Sequence, residues 1–242
     1  MLSGRFAMLI AILFAAMCAT SAQSIPSDRT NLSGQSVRSD HPDESNDLDS
    51  SLLTPLKPQG LDAPYHPIEP RQTLRWFITS SIGPPHLAGV IFVSASGTAV
   101  DRPKEYGPHW GGFAARFGSG MAGSVTGNAI EASAGLMLRE DPRYFRVPGQ
   151  AYKARVGNVV RLTFVARGND GRLGPAYARY MAIVGGNFLS NTWRVHSEAN
   201  PESALLRASE GLAGRMAANA FEEFWPDVKR HIFHKRNRYR TL

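Results

Sequence analysis

From residue 71 onward, apolar positions recur at helical spacing and stop at clusters of Gly, Pro and charge. The stretch 71–82, RQTLRWFITSSI, sets Leu74, Phe77 and Ile78 on one side of a helix, because residues three and four apart are neighbours there. Gly83-Pro84-Pro85 breaks it. The pattern then predicts helices over 86–100, ended by Asp101-Arg102-Pro103, and over 111–139, the longest. Two more follow. One covers 174–194, with Pro175 in its first turn. The other covers 201–224, with Asn200 as its cap and a stop before Pro226. Residues 149–168 admit two readings. The Val-rich middle before Gly168-Asn169-Asp170-Gly171 fits a strand and turn. The helical neighbours favour a helix. The expected fold is all-α: a Gly/Ala-rich bundle of about five or six helices over 71–228.

Within 111–139, every fourth residue is small: Gly111, Ala115, Ser119, Gly123, Gly127 and, after Glu131, Gly135. Phe113, Phe117, Met121 and Val125 form a parallel large stripe. The segment 174–194 repeats the device with Gly174, Ala178, Ala182, Gly186 and Ser190. Interior glycines each cost about 1 kcal/mol relative to alanine. So many imply a compensating close approach of helix axes, as in small-xxx-small pairs. Gly118, Gly120 and Gly123 also match the G-x-G-x-x-G spacing of a dinucleotide fingerprint. That motif needs a strand before it and a helix after. The preceding HWGGFAAR has no strand character, so close packing is preferred and no cofactor is expected. A second echo places Asn128, Asn187 and Asn219 mid-helix after a small residue. They read as a helix-registering network, with a polar ligand site as the alternative.

The amino-terminal pattern is different. Arg5, an apolar run over 6–16 and small residues up to Ala22 read as a secretory signal, 1–22. Cys18, the single cysteine, lies inside it. A mature chain without it has no disulfide, thiolate metal site or thiol nucleophile. Met17 before Cys18 argues against lipidation. Residues 23–70 are acidic and rich in Ser and Pro, and predict a disordered linker. The formal charge is +7, unevenly spread. Three arginines against six acidic residues leave 1–50 at −3, so the remainder carries +10. Much of that lies in a basic tail, 229–242, with Lys235, Arg236 and Arg238. Such a surface suits anionic lipid or polysaccharide. Export makes nucleic acid an unexpected partner.

The apolar runs bear on membranes too. Residues 87–100 are too short to cross a bilayer of about 30 Å at 1.5 Å per residue. Residues 117–130 and 180–193 are charge-free but short, and extending them brings in Arg116 and Glu131, or Arg179 and Arg194. Charges in lipid are costly. The helices therefore read first as a compact bundle, and second as helices set against a membrane.

Two clusters could carry chemistry. REDPRYFR, 139–146, offers Glu140 or Asp141 as a base beside Arg143 and Arg146 as anion clamps. Its structural reading is an interlocked turn anchored by Tyr144 and Phe145. Glu105, His109 and Arg116 would form the second. The candidate catalytic groups are thus Glu105, His109 and Asp141. No zincin or nucleophile-elbow motif occurs, and the histidines offer only a weak i, i+3 pair, His231 and His234, in a basic segment that would repel a cation, so no metal is expected.

EYG (105–107), RFG (116–118), EDPRYFR (140–146) and EFWPD (223–227) resemble a family of uncharacterised exported bacterial proteins, over about 70–229. The resemblance implies export and a shared helical domain, and no activity. The expectation is an exported protein of the periplasm or cell envelope. It would act as a non-enzymatic structural or interaction module, with a membrane surface, a protein partner or a second copy as its contact. The alternative is a periplasmic enzyme with an acid/arginine site around Glu105, Arg116 and Asp141.

Overall fold

The computed structural model describes residues 52–238, with side chains described as far as residue 230. The signal segment with Cys18, the linker before residue 52, and the side chains of Lys235, Arg236 and Arg238 lie outside the described residues.

The fold is all-α. Helix α1, Pro70–Ile82, begins with Pro at its first turn, where a missing N–H costs nothing. Gly83 is extended, and a Cβ there would lie 2.1 Å from Thr79 O. The chain therefore bends and restarts on Pro84 and Pro85 as α2, Pro84–Ala99. Helix α3, Trp110–Leu138, is capped by His109, whose Nδ1 accepts from Gly112 N at 3.1 Å. It stops at Arg139 in the left-handed region, φ 58°.

A short base follows. Strands β2, Glu140–Asp141, and β3, Phe145–Arg146, lead to α4, Tyr152–Phe164. The two readings of 149–168 each hold for part of it. The helix ends at Val165, and β4, Val165–Gly168, turns through Gly171 (φ 79°) into β5, Leu173–Pro175. Helix α5 joins Tyr177–Tyr180, the π-type turn Met181–Gly185 and Gly186–Ser190. The last helix, α6, is Pro201–Arg238, with Asn200 Oδ1 accepting from Ser203 N at 2.8 Å.

Besides the helix expected over 174–194, which runs Tyr177–Ser190 because Gly174 and Pro175 belong to β5, two expected boundaries are corrected. First, α6 does not stop before Pro226. Proline offers no N–H to the ladder, but the neighbouring Glu223 carbonyl accepts from Arg146 and Arg155 at 3.0 and 2.7 Å. Those guanidiniums hold the turn that proline weakens. Second, the disordered linker expected up to residue 70 ends earlier. Strand β1, Gln59–Gly60, pairs with β3, and Leu61 N donates to Arg146 O at 2.7 Å. Tyr65 packs edge-on against Phe145, and Ile68 is buried. Polar composition concealed the three apolar residues that tie this segment down.

The small stripes meet as expected. A Cβ on Gly186 would touch Gly127 Cα at 3.4 Å, and one on Gly135 would meet Ala178 Cβ at 4.0 Å. Helices α3 and α5 thus run antiparallel along their smallest residues. Two of the three asparagines register helices: Asn128 donates to Ser81 Oγ and Asn219 to Thr163 Oγ, whereas Asn187 donates to Ile183 O of its own helix. The compact apolar core is small: Tyr144, Phe145, Val159 and Leu162 in the base.

Candidate functional site

Three buried polar centres run along the molecule. The first sits at the start of α3. Arg116 donates to the carbonyls of Arg102 (2.9 Å), Gly107 (2.7 Å) and Pro103 (2.8 Å), and reaches Asp101 at 3.5 Å. The guanidinium thereby fills the loop before α3, with the Tyr106 ring 5.5 Å away. Glu105 leaves this loop to accept from Ser197 N at 3.3 Å, fastening it to the α5–α6 connection.

The second centre joins three helices. Glu131 Oε1 of α3 accepts from Arg179 Nε (3.1 Å) of α5 and Arg215 Nη2 (2.9 Å) of α6. Arg179 also donates to Leu162 O and Thr163 O, which are orphan carbonyls at the end of α4. Nearby, the Glu140 carboxylate accepts from Tyr177 N (3.1 Å) and Ala178 N (3.0 Å), capping α5 from across the chain. The crevice between Glu131, Gly135, Glu140, Asp141, Ala178 and Arg179 leaves no room for a water molecule.

The third centre is the base. Asp141 is wholly buried and accepts from Arg143 N and Nε and from the Tyr65 hydroxyl. Burial, with the Asp141 carboxylate beside it, pushes the Tyr65 hydroxyl up to about 12. Glu223, also wholly buried, accepts from Tyr144 Oη (3.0 Å), Val147 N (3.3 Å) and Arg155 Nε (2.8 Å). Burial and the Glu223 charge raise the Tyr144 pKa. Arg155 also pairs with Asp227 at 2.6 Å, and that hydrogen bond holds the Asp227 carboxyl below the usual range.

Glu105, His109 and Arg116 gather at the loop before α3, as expected, but Asp141 does not join them. Arg116 and Asp141 lie at opposite ends of α3, separated by 22 helical residues from 116 to 138, or about 33 Å at 1.5 Å per residue. His109 is a helix cap, and Asp141 is locked in the REDPRYFR turn. Arg143 spends its donors on Asp141 and His66 O, and Arg146 donates to Glu223 O. The anion-clamp reading of Arg116, Arg143 and Arg146 therefore gives way to carbonyl and carboxylate partners inside the protein. No group of three or more metal-ligating side chains occurs among the described residues. Sequence reasoning missed Glu131, Arg179, Arg215, Arg155 and Glu223. One signal was available: Glu131 falls on the small stripe of α3, the side that packs.

The exterior inverts this interior. Both charges on α3, Arg116 and Glu131, are buried, as is Arg179 on α5. Trp110 and Met137 are each 84% exposed and Phe92 is 72% exposed. On α5, the exposed large residues include Tyr177, Met181, Val184, Phe188 and Leu189, while Ala178, Ala182, Gly186 and Ser190 are buried. Taken together, and despite the bend at Gly83 that divides it into helices of 13 and 16 residues, the α1–α2 stretch Pro70–Ala99 is long and apolar enough, by length and composition alone, to cross a membrane, and 11% of its most apolar window is buried. The charges that argued against lipid at the sequence level do not face outward. No protein-family model matches the chain, and no curated protein or solved structure matches it either.

Proposed function

We propose that the chain is an exported, non-enzymatic structural or interaction module of the bacterial cell envelope. The outer faces of α2, α3 and α5 seat it at a membrane. One observation carries this reading: on α3 and α5, charge is turned inward and large apolar side chains outward. The exposed residues of α3 include Trp110, Leu136, Met137 and Leu138, and none is charged. Soluble monomers rarely expose contiguous apolar patches beyond a few hundred Å². Charges near a bilayer are tolerated when they face the bundle interior and pair there, as Glu131 does with Arg179 and Arg215. Export and the envelope come from the signal-like leader and the family resemblance.

The enzyme reading has less support, because Asp141 lies far from Glu105, His109 and Arg116, and each of the four is engaged with a protein partner. Fractionation of the native protein tests the proposal. Release by detergent, and not by salt or carbonate, is the expected result. Recovery in the soluble fraction without any wash would overturn the membrane seat. It would leave a soluble partner or a second copy as the cover for these faces.

A further inference from the structure

A second apolar surface lies on the base, away from the outer faces of α2 and α3. On α4, Tyr152, Val156, Val160 and Phe164 are all exposed. They are spaced four apart, so they form one stripe. The adjoining side of α4 carries the buried Asn158, Val159, Leu162 and Thr163. Tyr152 packs at a tilt against Phe224, with ring centroids 5.5 Å apart, which ties the stripe to the part of α6 where Trp225 stacks on Phe221. At the other end, the Phe164 carbonyl accepts from Ala176 N and from the Tyr180 hydroxyl. The stripe thus runs on into the outer face of α5. Its flanks are basic. Lys153 and Arg161 are exposed on α4, and Lys229 and Arg230 follow Trp225 on α6. The acids nearby are fewer: Glu222 is exposed, and Asp227 is held by Arg155.

We infer that α4 and the adjoining part of α6 form an interfacial platform for an anionic lipid surface. This rests on the membrane reading and adds the lipid class and the face that reads it. Apolar and aromatic residues flanked by Lys and Arg are the composition of helices that lie in the headgroup layer. Tyr and Trp favour that depth, with an apolar ring and a polar edge. Each basic residue near an anionic membrane is worth about fivefold in partitioning. The platform is continuous with α5, so it sits beside a surface already proposed to meet lipid.

The test uses the full chain with Cys18→Ser and one new cysteine carrying a polarity-sensitive fluorophore. Val160→Cys reports the platform and Val184→Cys the outer face of α5. Both positions are exposed, so neither probe disturbs the core. Vesicles are phosphatidylcholine alone or mixed with phosphatidylglycerol. The expected result is a blue shift of the Val160 probe on the mixed vesicles and not on phosphatidylcholine. Lys153→Ala with Arg161→Ala should then weaken that response about 25-fold. A shifted Val184 probe with an unshifted Val160 probe overturns the platform and leaves the membrane seat standing. Equal shifts of the Val160 probe on both vesicles overturn the anionic preference. A shift without vesicles that grows with protein concentration assigns the stripe to a second copy and overturns the proposal. Two probes that stay aqueous on all vesicles overturn both readings.

Discussion

Replacing Glu223 by Ala should be among the most damaging single changes in the base. The carboxylate is wholly buried and accepts from Tyr144 Oη, Val147 N and Arg155 Nε. Truncation leaves the Tyr144 O–H and the Val147 N–H without their acceptor, although Asn158 still donates to Tyr144 Oη at 2.9 Å, and takes one of two carboxylates from Arg155. Breaking a buried ion pair from one side costs about 3–5 kcal/mol, a large share of a typical net stability of about 5–15 kcal/mol. Glu223→Gln keeps the shape and an acceptor oxygen. Arg155 also retains Asp227 at 2.6 Å. The glutamine change should therefore cost less, on the order of 1–3 kcal/mol for weakening hydrogen bonds to a charged group. Urea unfolding followed by circular dichroism measures both, and Arg155→Ala completes a double-mutant cycle. The coupling energy should lie within about 0.5–3 kcal/mol. A loss below about 1 kcal/mol for Glu223→Ala would refute the claim that this carboxylate organises the base.

Further outcomes follow from the same geometry. Gly112→Ala should destabilise the fold, because its Cβ would stand 2.1 Å from Gly107 O and 2.5 Å from Tyr106 O. Gly118→Ala, six residues on in the same helix, meets nothing within 4 Å and should stabilise by about 1 kcal/mol; matched thermal melts decide between them. Glu131→Leu should cost about 3–5 kcal/mol and exceed Arg215→Met in the same unfolding assay, because it strands two guanidiniums against each other. Tyr65 should titrate late. Its folded pKa is raised from 10.0 to about 12, so the folded chain keeps a proton that the unfolded chain releases. That contribution to stability is present below pH 10 and is lost as pH rises towards 12. Tyrosinate absorbance should lose one late-titrating group in Tyr65→Phe, and loss of an early one would contradict the assignment.

By itself, the sequence determined where the helices lie. Apolar spacing, Pro at helix starts and Gly83-Pro84-Pro85 act within a few residues, so they are legible without neighbours. It also identified which stripes pack closely. Glycines at four-residue spacing carry a local cost that only contact relieves, and Gly127 against Gly186 is that contact. The REDPRYFR turn was legible because Asp141 and Arg143 are two residues apart. Tertiary structure decided what periodicity leaves open. A small stripe that packs does not say what the large stripe beside it meets. Here the small side went inward on α5, and Met181, Val184 and Phe188 were left outside. The partners of Glu131 lie 48 and 84 residues away, and those of Glu223 lie 68 to 79 away. No local rule links them, so their charges read as surface charges until the helices are assembled. The segment that supplies β1 and Tyr65 shows the same limit. Its composition is that of a linker, and its order comes from β3, Phe145 and Asp141, more than 70 residues downstream.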